Sequence, residues 1–274
     1  MCHFPDCETF LSLARDADRV PVARRLLGDP MTPVTAFHRI DRGRSACLFE
    51  SVVGGEKVGR YSFLAADPFL EFEARGQQVS VTGAEGTERF DVPDPFDELG
   101  RRIRSLRTVR LPQLPPFVGG AVGYAGYDAV RYTEHLPSPP ADDRQLPDLA
   151  FALYDQMIVF DNVTKTITVV AMARMPQVEG GLDRDQARRA YREACRRVDE
   201  MVTQLGQSSA DLDLTDIDTS GDVSLDWTSN FSQADFEAAV RKCVDYICAG
   251  DIFQVVISQR LQLTVTSPPF EIYR

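Results

Sequence analysis

The sequence predicts a mixed α/β (α+β) fold, and three observations predict it. Apolar residues recur at period two through much of the first two-thirds of the chain. One stripe, Ala187, Tyr191, Ala194, Val198, Met201 and Leu205, steps by four, three, four, three and four, which is helical spacing. After an acidic break, a second helix pattern runs into a second β-prone run.

Taken in order, Val20-Pro21-Val22 and Thr32-Pro33-Val34-Thr35-Ala36-Phe37 read as extended, with proline confining them to strand starts or edges. Cys47 to Val53 is a β-prone run ending at Gly54-Gly55. Phe69 to Val92 reads as a meander turned by Gly76 and by Gly83 through Gly86, with Leu70 and Phe72, Val79 and Val81, and Phe90 and Val92 at period two. Phe96, Leu99, Ile103 and Leu106 predict a helix. Leu149 to Phe160, turning at Asp161-Asn162 into Thr166 to Val170, predicts a hairpin. The stripe from Leu182 to Leu205 is one long helix stopped by Gly206. Residues 207–228, rich in Asp, Ser and Thr, carry almost no core-forming pattern and read as an acidic linker between a unit at 1–206 and another at 229–274.

In that second unit, Ser232 with Asp235 three residues on opens a helix carrying Phe236, Val240, Val244 and Ile247 on one face, and Gly250 closes it. A strand from Ile252 to about Thr266 follows, with Phe253, Val255, Ile257, Leu261, Leu263 and Val265 on one face and Gln254, Ser258, Arg260 and Gln262 on the other. Such a polar front suits the wall of a cavity and equally a plain exposed face. Ser267 to Arg274 reads as a turn into a helix that has just begun. A strand and an incipient helix with nothing further to pack against make the chain read as a fragment.

Composition bounds the function. The 274 residues carry 30 Lys+Arg against 41 Asp+Glu, a net charge of −11, with 43% hydrophobic residues, which is ordinary globular composition. The acidic balance with no basic stripe argues against a nucleic-acid partner. Nothing approaches the ~18 apolar residues of a membrane helix, and the first residues lack a signal-peptide pattern. Six cysteines without a CxxC pair, and three scattered histidines, predict reduced, mostly buried thiols in a cytoplasmic protein and no zinc site.

Two segments invite a functional reading. The glycine cluster Gly119 to Asp128 is followed by neither a helix pattern nor a Lys-Ser/Thr pair, so it matches no nucleotide fingerprint; a tight strand pair, where glycine admits a close backbone, explains it. The segment Phe49-Glu50-Ser51, Lys57 and Arg60-Tyr61-Ser62-Phe63 sets a carboxylate, a hydroxyl and two cations around Gly54-Gly55. It suits a zwitterionic amino acid, with Glu50 and Ser51 facing the ammonium and a cation the carboxylate; a surface strand with incidental ion pairs fits the spacing too.

Together these segments resemble one family, the large, chorismate-binding subunit of anthranilate synthase. Leu48-Phe49-Glu50-Ser51 and Gly59-Arg60-Tyr61-Ser62-Phe63 resemble that family's Leu-Leu-Glu-Ser and Gly-Arg-Tyr-Ser-Phe region, with Phe49 in place of leucine. Phe117 to Tyr124 with Gly126-Tyr127-Asp128 is similar to its glycine motif, and Ala249 to Arg260 to the opening of its chorismate-binding domain. The resemblance runs over essentially the whole chain and a little more than half of the family's length.

The resemblance implies a large two-sheet β-sandwich flanked by helices, with a regulatory domain nearly complete and a catalytic domain only begun. It implies conversion of chorismate and ammonia to anthranilate and pyruvate, with ammonia supplied by a glutamine amidotransferase subunit (component II) in a hetero-oligomer. Magnesium would hold the substrate carboxylate, through ligands lying beyond residue 274. Glu50 and Ser51, with Lys57 near them, align with the family's tryptophan feedback site. Gln254 matches a position where water-adding relatives carry a lysine base; glutamine is no base, which fits ammonia as nucleophile. The large subunit of aminodeoxychorismate synthase, and a non-catalytic amino-acid-binding module ending near Met175 or Leu205, are the competing readings. Alone, the chain is expected to be inactive and to bind tryptophan weakly or not at all.

Overall fold

The computed structural model describes residues 2–43, 45–51, 59–104, 107–175, 183–207, 212, 216, 220 and 224–274. The chain divides into two compact units, Met1–Leu212 and Asp213–Arg274, and the division falls inside the stretch read as a linker. In chain order the first unit contains α1 (Cys7–Leu13), β1 (Arg19–Leu27), α2 (Pro33–Ile40), β2 (Cys47–Phe49), β3 (Tyr61–Ala65), β4 (Leu70–Arg75), β5 (Gln78–Gly83), β6 (Gly86–Asp91), α3 (Pro95–Arg104), β7 (Gly120–Ala125), β8 (Leu149–Tyr154), β9 (Gln156–Asp161), β10 (Thr166–Arg174) and α4 (Arg184–Gly206).

Its strands form two five-stranded antiparallel sheets, ordered β1-β10-β9-β3-β2 and β6-β5-β4-β8-β7. Alternation assigns each face a job. Val20, Val22 and Ala173 pack outward with Phe10 of α1 and with Ala187 and Ala194 of α4. From the opposite face of the same sheet, Ala65, Met157 and Val159 meet Tyr154, Val122 and Ala152 of the second sheet. The far face of the second sheet, Phe72, Val79, Val81 and Leu149, is covered by Leu99 of α3 and by Ala129. The result is the helix-flanked two-sheet sandwich that the sequence led one to expect.

In this unit three expectations need correction. Thr32 to Phe37 is not extended: Thr32 is an N-cap whose hydroxyl accepts from the Thr35 amide, and Pro33 begins α2. Proline at the first helical position has its φ already set and loses no hydrogen bond, so the Thr-Pro pair starts a helix here. The apolar run Leu149 to Phe160 is two strands, because buried Asp155 interrupts it and carries the chain from one sheet to the other. Only the second of them, β9, forms the hairpin with β10, in which the Asp161 carboxylate accepts from the Val163 and Thr164 amides. The run Cys47 to Val53 is strand only at Cys47–Phe49; residues 52–58 lie outside the described residues.

The second unit contains β11 (Trp227–Ser229), α5 (Gln233–Ala249), β12 (Leu261–Leu263) and α6 (Pro269–Tyr273). The Ser232 hydroxyl caps α5 through the Asp235 amide, and Gly250, at φ +83°, closes it in the left-handed conformation. The strand expected from Ile252 to Thr266 is a ladder only at Leu261–Leu263. Only β11 pairs with it among the described residues, and that pairing spans three residues. Trp227 and Thr228, read as the end of the linker, belong to that ladder.

Candidate functional site

β2 is the edge of the first sheet, and its last residue, Phe49, pairs with Phe63. Glu50 and Ser51 leave the ladder there, both partly buried. The Ser51 amide points at the Ser62 hydroxyl, 3.5 Å away, and the Asn162 side-chain amide donates to that same hydroxyl at 3.3 Å. Asn162 is held in turn by its backbone, which donates to the Arg60 carbonyl at 2.8 Å. The sequence motif at 59–63 and the β9–β10 turn therefore meet beneath Ser51.

Arg60, one of the two cations of that segment, is engaged by Asp161. Its guanidinium forms a two-pronged pair with Asp161, Nη2 to Oδ2 at 2.6 Å and Nε to Oδ1 at 3.2 Å, and lies 5.0 Å from the Tyr61 ring centroid. Burial alone would raise the Asp161 carboxyl; the Arg60 hydrogen bonds and the turn amides outweigh it and hold the group at about 2. In the zwitterion reading the carboxylate partner thus falls to Lys57, which lies outside the described residues. On the sandwich side the site rests on aromatic groups: Phe63 meets Phe117 edge-on at 5.9 Å, and Tyr61 and Phe63 pack on the buried cluster of Ala65, Tyr154, Met157 and Val159.

Gln254 lies in the second unit on an exposed stretch without regular structure. Among the described residues no group of three His, Cys, Asp or Glu side chains converges. The described residues therefore offer no carboxylate cluster to a magnesium ion. The glycine cluster is strand β7 against β8, followed by a 3-10 helix at Tyr127–Tyr132, which is the close strand pair and not a phosphate loop.

One constellation escaped the sequence. Asp155, 2% exposed, is surrounded by three arginines: Arg174 Nη2 at 2.6 Å, Arg197 Nη2 at 2.5 Å and Arg19 Nη1 at 3.8 Å. These come from β1, the β8–β9 junction, β10 and α4. The only local signal was a lone acidic residue inside an otherwise apolar β-run.

Comparison with known proteins agrees with this architecture. The chain is 36% identical over 277 aligned residues to anthranilate synthase component 1 of Synechocystis, covering 98% of this chain and 53% of that protein. It is 34% identical to the Pseudomonas aeruginosa component 1, covering 97% and 53%, and 34% identical to the chloroplastic anthranilate synthase alpha subunit 1 of Arabidopsis thaliana, covering 98% and 47%. The crystal structure of anthranilate synthase component I from Streptococcus pneumoniae superposes with a TM-score of 0.60 at 27% identity, over 91% of this chain and 51% of that one. The chain thus spans about half the length of the curated relatives it matches. The sequence profile of the chorismate binding enzymes matches residues 45–274, more than four-fifths of the chain, and the chain belongs to that family.

Proposed function

We propose that this chain is part of the large subunit of an anthranilate synthase, a carbon–oxygen lyase of tryptophan biosynthesis. The whole protein would convert chorismate and ammonia to anthranilate and pyruvate. The observation that carries the reading is the 34–36% identity to anthranilate synthase component 1 proteins over nearly the full chain, through both units. A glutamine amidotransferase subunit would supply the ammonia, and magnesium would be held by residues outside this chain. Residues 1–206 would form the regulatory domain and 229–274 the start of the catalytic one.

Within that reading the edge of the first sheet is the tryptophan site. Ser51 sits on a fixed floor of Ser62 and Asn162, Glu50 adjoins it, and Tyr61 and Phe63 line the same strand. A hydroxyl and a carboxylate suit the ammonium of an amino acid, and Lys57 is the remaining cation for its carboxylate. Gln254 would lie on the nucleophile side of the chorismate pocket. Six free thiols support a reducing, cytoplasmic setting.

The test is a chimera in which the remaining part of the Synechocystis relative follows Arg274, assayed with chorismate, ammonium and magnesium. Anthranilate formation that tryptophan inhibits, with inhibition lost in Ser51→Leu, is the expected result. Anthranilate formed by the 274-residue chain alone would refute the inactivity expected of it.

A further inference from the structure

A cavity of about 660 Å³ opens between β1, β8, β10 and the loop 108–118 of the first unit. Phe69, Leu114, Phe117, Leu153 and Met172 give it apolar walls, and the Arg19 side chain lines it. The Arg19 side chain is 9% exposed, yet its guanidinium makes no hydrogen bond among the described residues. Its guanidinium lies over the Phe69 ring at 4.4 Å, and the nearest carboxylate oxygen, Asp155 Oδ2, is 3.8 Å away. That carboxylate is already taken by Arg174 and Arg197 at shorter range, and Asp18, the next one along, is bound by Arg107 at 3.1 Å. Three guanidinium groups therefore surround one carboxylate. Burial draws Arg19 below the ordinary guanidinium value, with the pull of Asp155 only partly opposing it.

A nearly buried cation with unspent donors on an apolar cavity is arranged for an anion that has an apolar body. We propose that this cavity is a ligand site for a small aromatic monocarboxylate, its carboxylate on Arg19 and its ring among Phe69, Phe117, Leu153 and Met172. Its anion end, at Arg19 on β1, lies away from Ser51, while Phe117 on its wall also meets Phe63 of that other site. β1 and β2 are opposite edges of the first sheet, four strand spacings or about 19 Å apart. The proposal does not rest on the anthranilate synthase reading, since it uses only residues of the first unit.

The experiment is calorimetric titration of the 274-residue chain with 3-phenylpropionate and, separately, with its neutral analogue 3-phenylpropionamide. The acid is expected to bind saturably, and the amide about tenfold more weakly or worse, the cost of losing a charge-assisted hydrogen bond. Arg19→Gln should weaken the acid by a similar factor. Leu114→Trp, which fills the cavity from the loop and leaves the arginine cluster untouched, should abolish binding, and it decides the matter where Arg19→Gln does not fold. Equal affinity for acid and amide, an affinity unchanged in Leu114→Trp, or no saturable binding of the acid at millimolar concentration would each overturn the proposal.

Discussion

Gly123 lies so close to the Ala150 carbonyl that a Cβ built on it would stand 2.0 Å from that oxygen. The two residues sit on β7 and β8, where Gly123 pairs with Phe151 and Tyr124 with Ala150. Backbone, unlike the end of a long side chain, has little room to yield. Gly123→Ala is expected to destabilise the first unit by about 3 kcal/mol or more, at the upper end of overpacking costs. Gly126→Ala, whose new methyl would meet the Asp148 carbonyl at 3.4 Å, serves as the mild control. Urea unfolding of the two variants measures the difference; equal midpoints would refute it.

The Arg60–Asp161 pair sets a pH dependence. The folded-state Asp161 carboxyl, at about 2, lies below its ordinary value of 3.8. Its stabilisation is therefore fully present above pH 3.8 and is lost as pH falls from there toward 2. Asp161→Asn keeps an acceptor for the Val163 and Thr164 amides, removes the charge and sets an NH2 group against Arg60 Nη2. Because Arg60 is 35% exposed and solvent screens it, the expected loss at pH 7 is about 1–2 kcal/mol. The gap between wild type and variant should close on acidification below pH 3.8. A gap that persists at pH 2 would assign the effect to packing.

Most local signals in the sequence held, the Thr32–Pro33 helix start and the run from Ile252 excepted, and long-range ones did not. The meander from Leu70 to Asp91, the helix capped by Ser232 and closed by Gly250, and the hairpin at Asp161 each depend on residues a few positions apart. Leu149 to Phe160 misled because a run buried in two sheets keeps one apolar pattern throughout, so the handover at Asp155 leaves no change of period. At the candidate site Ser51 and Arg60 were visible as types, but Asp161, which occupies Arg60, is 101 residues away. The Asp155 cluster draws on positions 19, 155, 174 and 197, whose spacing follows from sheet order and no local rule.

The α2 start offers a direct check on the element read as extended. Thr32→Ala removes the hydroxyl that accepts from the Thr35 amide at 3.1 Å and leaves Pro33 in place. The expected cost is about 1 kcal/mol, and Thr32→Ser should restore most of it. Urea midpoints of the two variants read this directly. A Thr32→Ala protein as stable as wild type would mean that Pro33 alone sets the helix start.

Asp155 holds the strongest prediction, because its removal takes away the carboxylate that three guanidinium groups share. Arg197 is 17% exposed and Arg19 9%, so neither reaches bulk water easily once their common carboxylate is gone. Breaking a buried pair by deleting one partner typically costs about 3–5 kcal/mol, and here one deletion orphans more than one cation. Asp155→Asn retains the size and one acceptor oxygen, so its loss combines the missing charge with an NH2 group set against an arginine N–H. Arg174→Gln, on a side chain that is 53% exposed, should cost well under half as much. Thermal unfolding of both variants tests the ordering. If the second substitution proved the more damaging, Phe69 stacking beneath Arg174, at 4.7 Å, would be the dominant contact and the carboxylate only an accessory.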